Sequence, residues 1–186
     1  MKDLILKNRS CRRFHQEFAV DNETLRDLVD LARLSASARN KQPLKYILSC
    51  EPEKNDFILK HIRFGVFDDG KPPEGERPAA YIIVLGDTDI RENFGCDHGI
   101  AAQSIMLGAA AKDLGGCIIA LIDKEGLSKA LEISDRYKIL LVLALGKPRQ
   151  KAVIEEVGSD GNTSYWQDNE GIHHVPKRVL NDIIIG

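Results

Sequence analysis

Residues 97–116 read DHGIAAQSIMLGAAAKDLGG and carry the strongest structural signal in this chain. Small and apolar residues occupy most positions of Asp97–Leu114, which predicts a helix that is apolar almost all round. Gly115-Gly116 supplies the expected helix stop. A small domain covers such a helix on every side only with difficulty, whereas a dimer interface covers it easily. We therefore expect a buried central helix in an obligate homodimer.

Apolar runs on both sides of this segment predict a sheet. Ala79–Leu85 has no polar alternation, which is typical of a strand covered on both faces. Further strands are predicted at Leu44–Ser49, Cys117–Ile122 and Ile139–Leu145. An amphipathic helix is predicted over Asn22–Ser35, capped by Asp21 or Asn22, and two more helices at Glu53–Ile62 and Lys124–Glu132.

Composition narrows the class of protein. The chain has 186 residues, 43% hydrophobic and 29% charged, which predicts a single soluble domain over residues 1–186. A net charge of −2 argues against a nucleic-acid partner. The longest apolar runs fall short of the ~20 residues that span a bilayer, so no membrane partner is expected. Four scattered cysteines without a visible secretory signal favour reduced thiols and a cytoplasmic location.

Positive charge is concentrated near the N-terminus. Five basic residues lie within the first 13 positions, against Asp3 alone: Lys2, Lys7, Arg9, Arg12 and Arg13. Guanidinium groups and the Ser10 hydroxyl can grip a phosphate through charge-assisted hydrogen bonds. Lys177 and Arg178 could add to this charge if the two segments meet. The alternative is a solvated basic turn.

Two loops are candidates for ligand contact. Ser35–Pro43 follows the first long helix, and its small residues let a flat ring approach while Asn40 and Gln42 offer donors and acceptors. The alternative is an ordinary polar connection. Phe64–Pro78 is rich in Gly, Pro and charge, and it predicts either a mobile loop over a site or a plain surface connection.

No residue pattern indicates a metal or a catalytic side chain. Cys96-Asp97-His98 is too compact to share one ion, and Asp97 fits a helix cap better. His173 and His174 should point to opposite faces of an extended segment. The usual nucleotide-binding, hydrolase and zinc-protease fingerprints are missing. Any chemistry is therefore expected to come from a cofactor, with no metal.

Taken in order, five segments resemble the nitroreductase family of FMN-dependent oxidoreductases. Residues 9–14 (RSCRRF) resemble its opening element, and residues 37–43 (SARNKQP) its S-x-x-N-x-Q-P element. Residues 97–116 are similar to its central helix. Residues 144–148 (ALGKP) and 173–185 (HHVPKRVLNDIII) resemble its late strand and its terminal segment. The resemblance implies an α+β fold, a three-layer α-β-α sandwich that is homodimeric.

The resemblance also implies roles for individual residues. Arg9, Ser10 and Arg12 would hold the FMN phosphate and ribityl chain, with Lys177 or Arg178 adding charge. Ser37, Asn40 and Gln42 would line the flavin from the other subunit, because family members bind FMN at the dimer interface. The backbone at Ala120 and Leu121 would face flavin N5.

The implied activity is ping-pong hydride transfer from NADH or NADPH, through flavin N5, to an electron-poor small molecule such as a nitroaromatic or a quinone. Two positions depart from the family. Leu44 replaces a frequent Trp, and Ala120-Leu121 replaces a frequent Glu-Gly near N5. These departures leave a non-catalytic flavin-binding or sensing protein as the alternative. A structural protein with a solvated basic patch is a third reading.

Overall fold

The computed structural model describes residues 1–186, which form two compact units, residues 1–148 and residues 149–186. The single domain expected over residues 1–186 stays a prediction. The helices are α1 Lys2–Lys7, α2 Asn22–Leu34, α3 Pro52–Lys60, α4 Asp97–Ala111, α5 Lys124–Ala130 and α6 Leu180–Ile183. The strands are β1 Phe14–His15, β2 Leu44–Ser49, β3 Ala80–Asp87, β4 Gly115–Ile119, β5 Tyr137–Pro148, β6 Ala152–Glu156, β7 Trp166–Gln167 and β8 His173–Lys177.

Antiparallel pairing builds a five-stranded sheet in the first unit. The long strand β5 lies beside β3 on one side and beside β4 and β1 on the other, and β2 completes the far edge next to β3. The register sets Ile83 of β3 between Ile47 of β2 and Val142 of β5. The predicted strands at residues 44–49, 79–85 and 139–145 are confirmed.

Side-chain alternation along β3 divides the core into two layers. Ile82 and Val84 join a cluster with α2 and α4, whereas Tyr81, Ile83 and Leu85 join a second cluster with α3 and α5. Every residue of β3 is buried, as its unbroken apolar run predicted. Helices therefore cover both faces of the sheet, and the predicted three-layer arrangement is present.

The amphipathic helix α2 begins as expected. Asp21 is its N-cap residue, and its Oδ1 accepts a hydrogen bond from the Thr24 backbone N–H at 2.7 Å. Leu25, Leu28 and Ala32 are buried on one face of the helix. The pattern thus predicted both the start of α2 and the face that packs on the core.

The predicted helix stop at Gly115-Gly116 is wrong. The helix α4 ends at Ala111, and Asp113 takes the left-handed conformation with φ of 56°. The two glycines instead open β4, where a Cβ on Gly116 would lie 2.5 Å from the carbonyl oxygen of Ala144. Close approach of β4 to β5 therefore explains Gly116. The predicted strand over Cys117–Ile122 is correspondingly shifted, ending at Ile119.

Part of α4 stays uncovered in the single chain. Ile100 is 40% exposed, Gln103 and Ala111 are exposed, and Leu107 is half-buried. At intervals of three to four residues these positions form one stripe along the helix. The expectation of cover on every side is not met within one chain.

The second unit contains a small three-stranded sheet. β8 lies between β6, which is parallel to it, and β7, which is antiparallel. None of its side chains is fully buried. Its order therefore depends on hydrogen bonds and ion pairs more than on an apolar core.

The structure contains no helix long and apolar enough to cross a membrane. All four cysteines are free thiols, and Cys11 and Cys117 are buried.

Candidate functional site

An open strand edge forms the centre of the candidate site. β4 pairs with β5 along one side, while on the other side it meets the chain at the single bridge between Ser10 and Gly116. Beyond that bridge the side chains of Ile118 and Leu121 are 43% and 59% exposed. The edge therefore offers both backbone groups and apolar surface to a ligand.

The basic segment lies at the start of this edge. The Cys11 backbone N–H donates to the carbonyl of Gly116 at 2.8 Å, which fixes Ser10 and Arg12 on either side. Burial raises the pKa of the Cys117 thiol, and the Arg12 guanidinium that contacts it opposes this rise. The predicted phosphate-binding residues Ser10 and Arg12 thus flank the first residues of β4.

Arg9 presents an unsatisfied donor in the same segment. Its Nη2 donates to the carbonyl of Ile5 at 2.7 Å, while its Nε is buried without a hydrogen-bond partner. A buried donor without a partner costs free energy, so an anion at this position would relieve it.

The far end of the edge is held by backbone contacts. The Arg63 N–H donates to the carbonyl of Leu121 at 2.9 Å, and Ile62 forms a bridge with Ile122. Asp123 then caps α5 through the Gly126 N–H at 3.0 Å. The Gly126 N–H, together with the His61 ring, lowers the pKa of Asp123. Ala120 and Leu121 are therefore fixed in backbone position while their side chains remain exposed.

The segment Phe64–Pro78 borders the edge at both ends and contains no regular helix or strand. A Cβ on Gly65 would lie 3.7 Å from the Leu121 side chain. At its other end, Arg13 Nη1 donates to Glu76 Oε2 at 2.5 Å, and the Arg13 guanidinium lies 5.2 Å from the centre of the Phe67 ring. These contacts tie the segment to the basic residues.

The second predicted group lies in a strained loop before β2. Arg39, Asn40 and Gln42 have φ values of 55°, 53° and 50°, a region that residues other than glycine seldom adopt. The Gln42 N–H donates to Ser37 Oγ at 3.1 Å, and Gln42 Nε2 donates to Asn40 Oδ1 at 3.2 Å. The loop borders a cavity of about 220 Å³.

The two groups lie at opposite ends of α4 within one chain. Asp97 Oδ1, at the start of the helix, accepts from the Ala38 N–H of the loop at 3.0 Å. Beyond the end of the helix, Asp113 pairs with Lys7 of the basic segment at 2.5 Å. A helix of 15 residues is about 22 Å long. One chain therefore does not bring Ser10 and Arg12 together with Ser37, Asn40 and Gln42.

Asp97 is not the helix cap that its position suggested. Cys96 occupies the cap position, and the Asp97 side chain reaches across to the Ala38 backbone. An aspartate at a helix start usually satisfies the helix's own N–H groups, so sequence alone gave no sign of this contact. The His98 Nδ1 atom, next in the chain, is buried without a hydrogen-bond partner.

The remaining predicted residues lie in the second unit. Lys177 ends β8, Arg178 follows it, and both are exposed. In the same strand the His174 ring is stacked on Trp166, with ring centres 3.9 Å apart. Its Nε2 lies 3.1 Å from Asp168 Oδ2, and its Nδ1 is bonded to Glu155. Hydrogen bonds from Asp168 and Glu155 raise the pKa of His174.

Comparison with known proteins identifies the class. The sequence model of the Nitroreductase family matches residues 5–147, most of the chain. This chain belongs to the nitroreductase family, as its motifs indicated.

Individual relatives agree with this assignment. An oxygen-insensitive NADPH nitroreductase of Helicobacter acinonychis is 26% identical, over 81% of this chain and 89% of the relative. A nitroreductase of Desulfovibrio desulfuricans in complex with FMN has a TM-score of 0.73 at 23% identity, covering 100% of this chain and 95% of its own. A nitroreductase family protein of Streptococcus pneumoniae has a TM-score of 0.74 at 20% identity, covering 100% and 98%. The predicted nitroreductase-like α+β fold is confirmed.

Proposed function

We propose that this chain is an FMN-dependent NAD(P)H oxidoreductase that acts on an electron-poor small molecule. The observation that carries the proposal is the β4 edge, which has the Ser10 hydroxyl and the Arg12 guanidinium at its start and the exposed residues Ala120 and Leu121 just past its end. The names of the Helicobacter acinonychis relative, an NADPH nitroreductase, and of the FMN complex from Desulfovibrio desulfuricans support the same cofactor and donor.

The start of the edge suits the FMN phosphate. Arg12 supplies a guanidinium beside β4, Ser10 supplies a hydroxyl, and the buried Arg9 Nε supplies a donor that has no partner in the chain. Charge-assisted hydrogen bonds of this kind favour a phosphate over a neutral ligand. Lys177 and Arg178 lie in the second unit, and their contribution of positive charge stays a prediction from the sequence.

The end of the edge suits the flavin ring. Leu121 is five positions after Gly116, a span of about 16 Å at the rise of an extended strand, so one molecule can run along β4 from a phosphate to a ring. Neither Ala120 nor Leu121 carries a polar side chain, so only their backbone can form a hydrogen bond with N5. Bound FMN would supply the redox chemistry, accepting hydride at N5 from NADH or NADPH and passing it to a nitroaromatic or quinone.

A second protomer completes the proposed site. A two-fold axis across the middle of α4 would set the start of one helix beside the end of its partner. The loop with Ser37, Asn40 and Gln42 would then reach the FMN bound along the other protomer's β4. The exposed stripe of α4 supports this interface, because apolar residues such as Ile100 would become covered.

The test begins with the purified protein and its visible spectrum. We expect a yellow protein, or one that becomes yellow on addition of FMN, whose absorbance bleaches under anaerobic conditions with NADH or NADPH. An electron-poor acceptor added next should restore the colour. A colourless protein that does not take up FMN would contradict the proposal.

A second candidate function is flavin binding without turnover. It is favoured by Ala120 and Leu121, which offer no carboxylate near N5. In that case FMN binds, but neither nucleotide bleaches it, although dithionite does. The same anaerobic titration therefore separates the two functions.

A further inference from the structure

We propose that Asp97 is a positioning residue whose carboxylate holds the loop of residues 37–42 in the conformation that meets FMN. The inference rests on the proposed function, since it concerns the loop assigned to the partner's flavin. Asp97 would not contact the cofactor itself; it would act through the backbone of Ala38.

The loop adopts a conformation that its own sequence disfavours. Three of four consecutive residues, Arg39, Asn40 and Gln42 with Lys41 between them, lie in the left-handed region without being glycine. Such residues persist only where surrounding contacts determine their conformation, and they concentrate at ligand-binding sites. Some contact outside the loop must therefore keep it in place.

Asp97 provides that contact from a rigid position. It is 3% exposed and is the first residue of α4, where the positive end of the helix dipole favours a carboxylate. Its Oδ1 accepts the Ala38 N–H at 3.0 Å. Its Oδ2 has no hydrogen bond and faces Arg91 Nη1 at 3.8 Å. The carboxylate is thus committed to the loop rather than to its own helix.

The other contacts between the loop and the rest of the fold lie at its two ends. Ser35 Oγ is 2.7 Å from Ser104 Oγ, and the Asp87 N–H donates to the carbonyl of Pro43 at 2.8 Å. Between these anchors, the cavity of about 220 Å³ borders the loop, so packing there is incomplete. Asp97 holds the segment between the two anchors, where the left-handed residues begin.

The experiment compares FMN dissociation constants, measured by quenching of flavin fluorescence on the full-length protein. Asp97→Ala should weaken FMN binding at least tenfold, with kcat at saturating FMN within about threefold of wild type. Asp97→Asn keeps an oxygen that can accept the Ala38 N–H and should stay within about threefold in affinity. A kcat that falls as far as the affinity, or Asp97→Asn behaving like Asp97→Ala, would overturn a positioning role.

Asp21→Ala is the matched control. Like Asp97, Asp21 accepts a hydrogen bond from one backbone N–H. It caps the N-terminus of α2, however, whereas the loop follows the C-terminus of that helix. This variant should lower the melting temperature while leaving FMN affinity within twofold. An equal loss of affinity in Asp21→Ala would show that general destabilisation explains the effect.

A second substitution tests the role of backbone strain. Glycine adopts the left-handed region without steric cost, so Arg39→Gly added to Asp97→Ala should recover at least threefold in FMN affinity. If Asp97→Ala alone folds poorly, the double variant provides the measurement instead. No recovery in the double variant would overturn the inference.

Amide hydrogen exchange separates failure of this inference from failure of the proposed function. Without FMN, Asp97→Ala should expose the Ala38 N–H to exchange at least tenfold faster, and Asp97→Asn should not. If the wild-type protein binds no FMN, the proposed function fails, but the exchange rate at Ala38 still tests whether Asp97 holds the loop. Unchanged exchange at Ala38 would overturn the inference even in a protein that binds FMN.

Discussion

Arg12 has both the positive charge and the position that a contact with the FMN phosphate requires. It lies beside the first residues of the open β4 edge, against the Cys117 thiol, and the residue is half-buried. Arg12→Ala should weaken FMN binding by about 10- to 100-fold, because hydrogen bonds to charged groups contribute about 1.5–3 kcal/mol. Flavin fluorescence titration measures the change.

The exposed Arg26 on α2 supplies the control for this experiment. Arg26→Ala removes the same charge from the protein and should change FMN affinity by less than twofold. Equal losses in the two variants would point to net charge rather than to a phosphate contact at Arg12.

Single residues also mark the limit of sequence reasoning. The charges of Arg9 and Arg12 suggested an anion site because a guanidinium has the same chemistry in any fold. The contact of Asp97 was not predictable, since it joins residues 59 positions apart in the chain. The same holds for Glu76, whose pairing with Arg13 depends on the path of the Phe64–Pro78 segment.

At the scale of elements, β8 carries a pH-dependent cluster. Both ring nitrogens of His174 meet carboxylates, Glu155 from β6 and Asp168 from the turn after β7, so the geometry favours the imidazolium. Trp166 on β7 is uncharged, and the neighbouring His173 side chain points to the opposite face of β8. Because the pKa of His174 is raised, its ion pairs contribute fully to the stability of the fold at pH values below the ordinary histidine pKa near 6.5. That contribution is lost as pH rises through the raised value.

Trp166 is the only tryptophan, so its fluorescence reports on this cluster directly. Imidazolium quenches indole emission, and we expect emission to rise in a titration step centred above pH 6.5. His174→Gln should abolish the step, whereas His173→Gln should keep it. A step at or below pH 6.5, or one that survives in His174→Gln, would contradict the prediction. FMN content should be matched across the samples.

At the scale of the whole molecule, the length of α4 separates the two halves of the proposed site. One end lies near the loop of residues 37–42 and the other near Lys7 and the basic segment. Two antiparallel copies of the helix would bring unlike ends together. A monomer would then bind FMN weakly, because it lacks the contacts of the partner's loop.

Ile100→Asp tests this assembly. A buried carboxylate without a partner is costly at an interface, so the variant should sediment with the mass of one chain and lose at least tenfold in FMN affinity. Wild type should sediment with the mass of two chains. Phe57→Asp is the matched control: this side chain of α3 is 50% exposed, against 40% for Ile100, and the variant should remain dimeric. A wild-type protein that is monomeric yet binds FMN tightly would contradict the two-protomer site.

The sequence by itself determined most helices and strands of the first unit, the family and the chemistry of the basic segment, because hydrophobic periodicity and side-chain charge act locally. It placed β3, α2 and the central helix to within a few residues, and its motifs identified the nitroreductase family. Tertiary structure alone decided that Gly116 allows β4 to pack closely on β5 and that Asp97 holds a strained loop. It also decided that the two groups of predicted flavin-binding residues lie apart within one chain. Those outcomes depend on which residues meet across the fold, and distances between segments far apart in the chain are set only when the layers pack together.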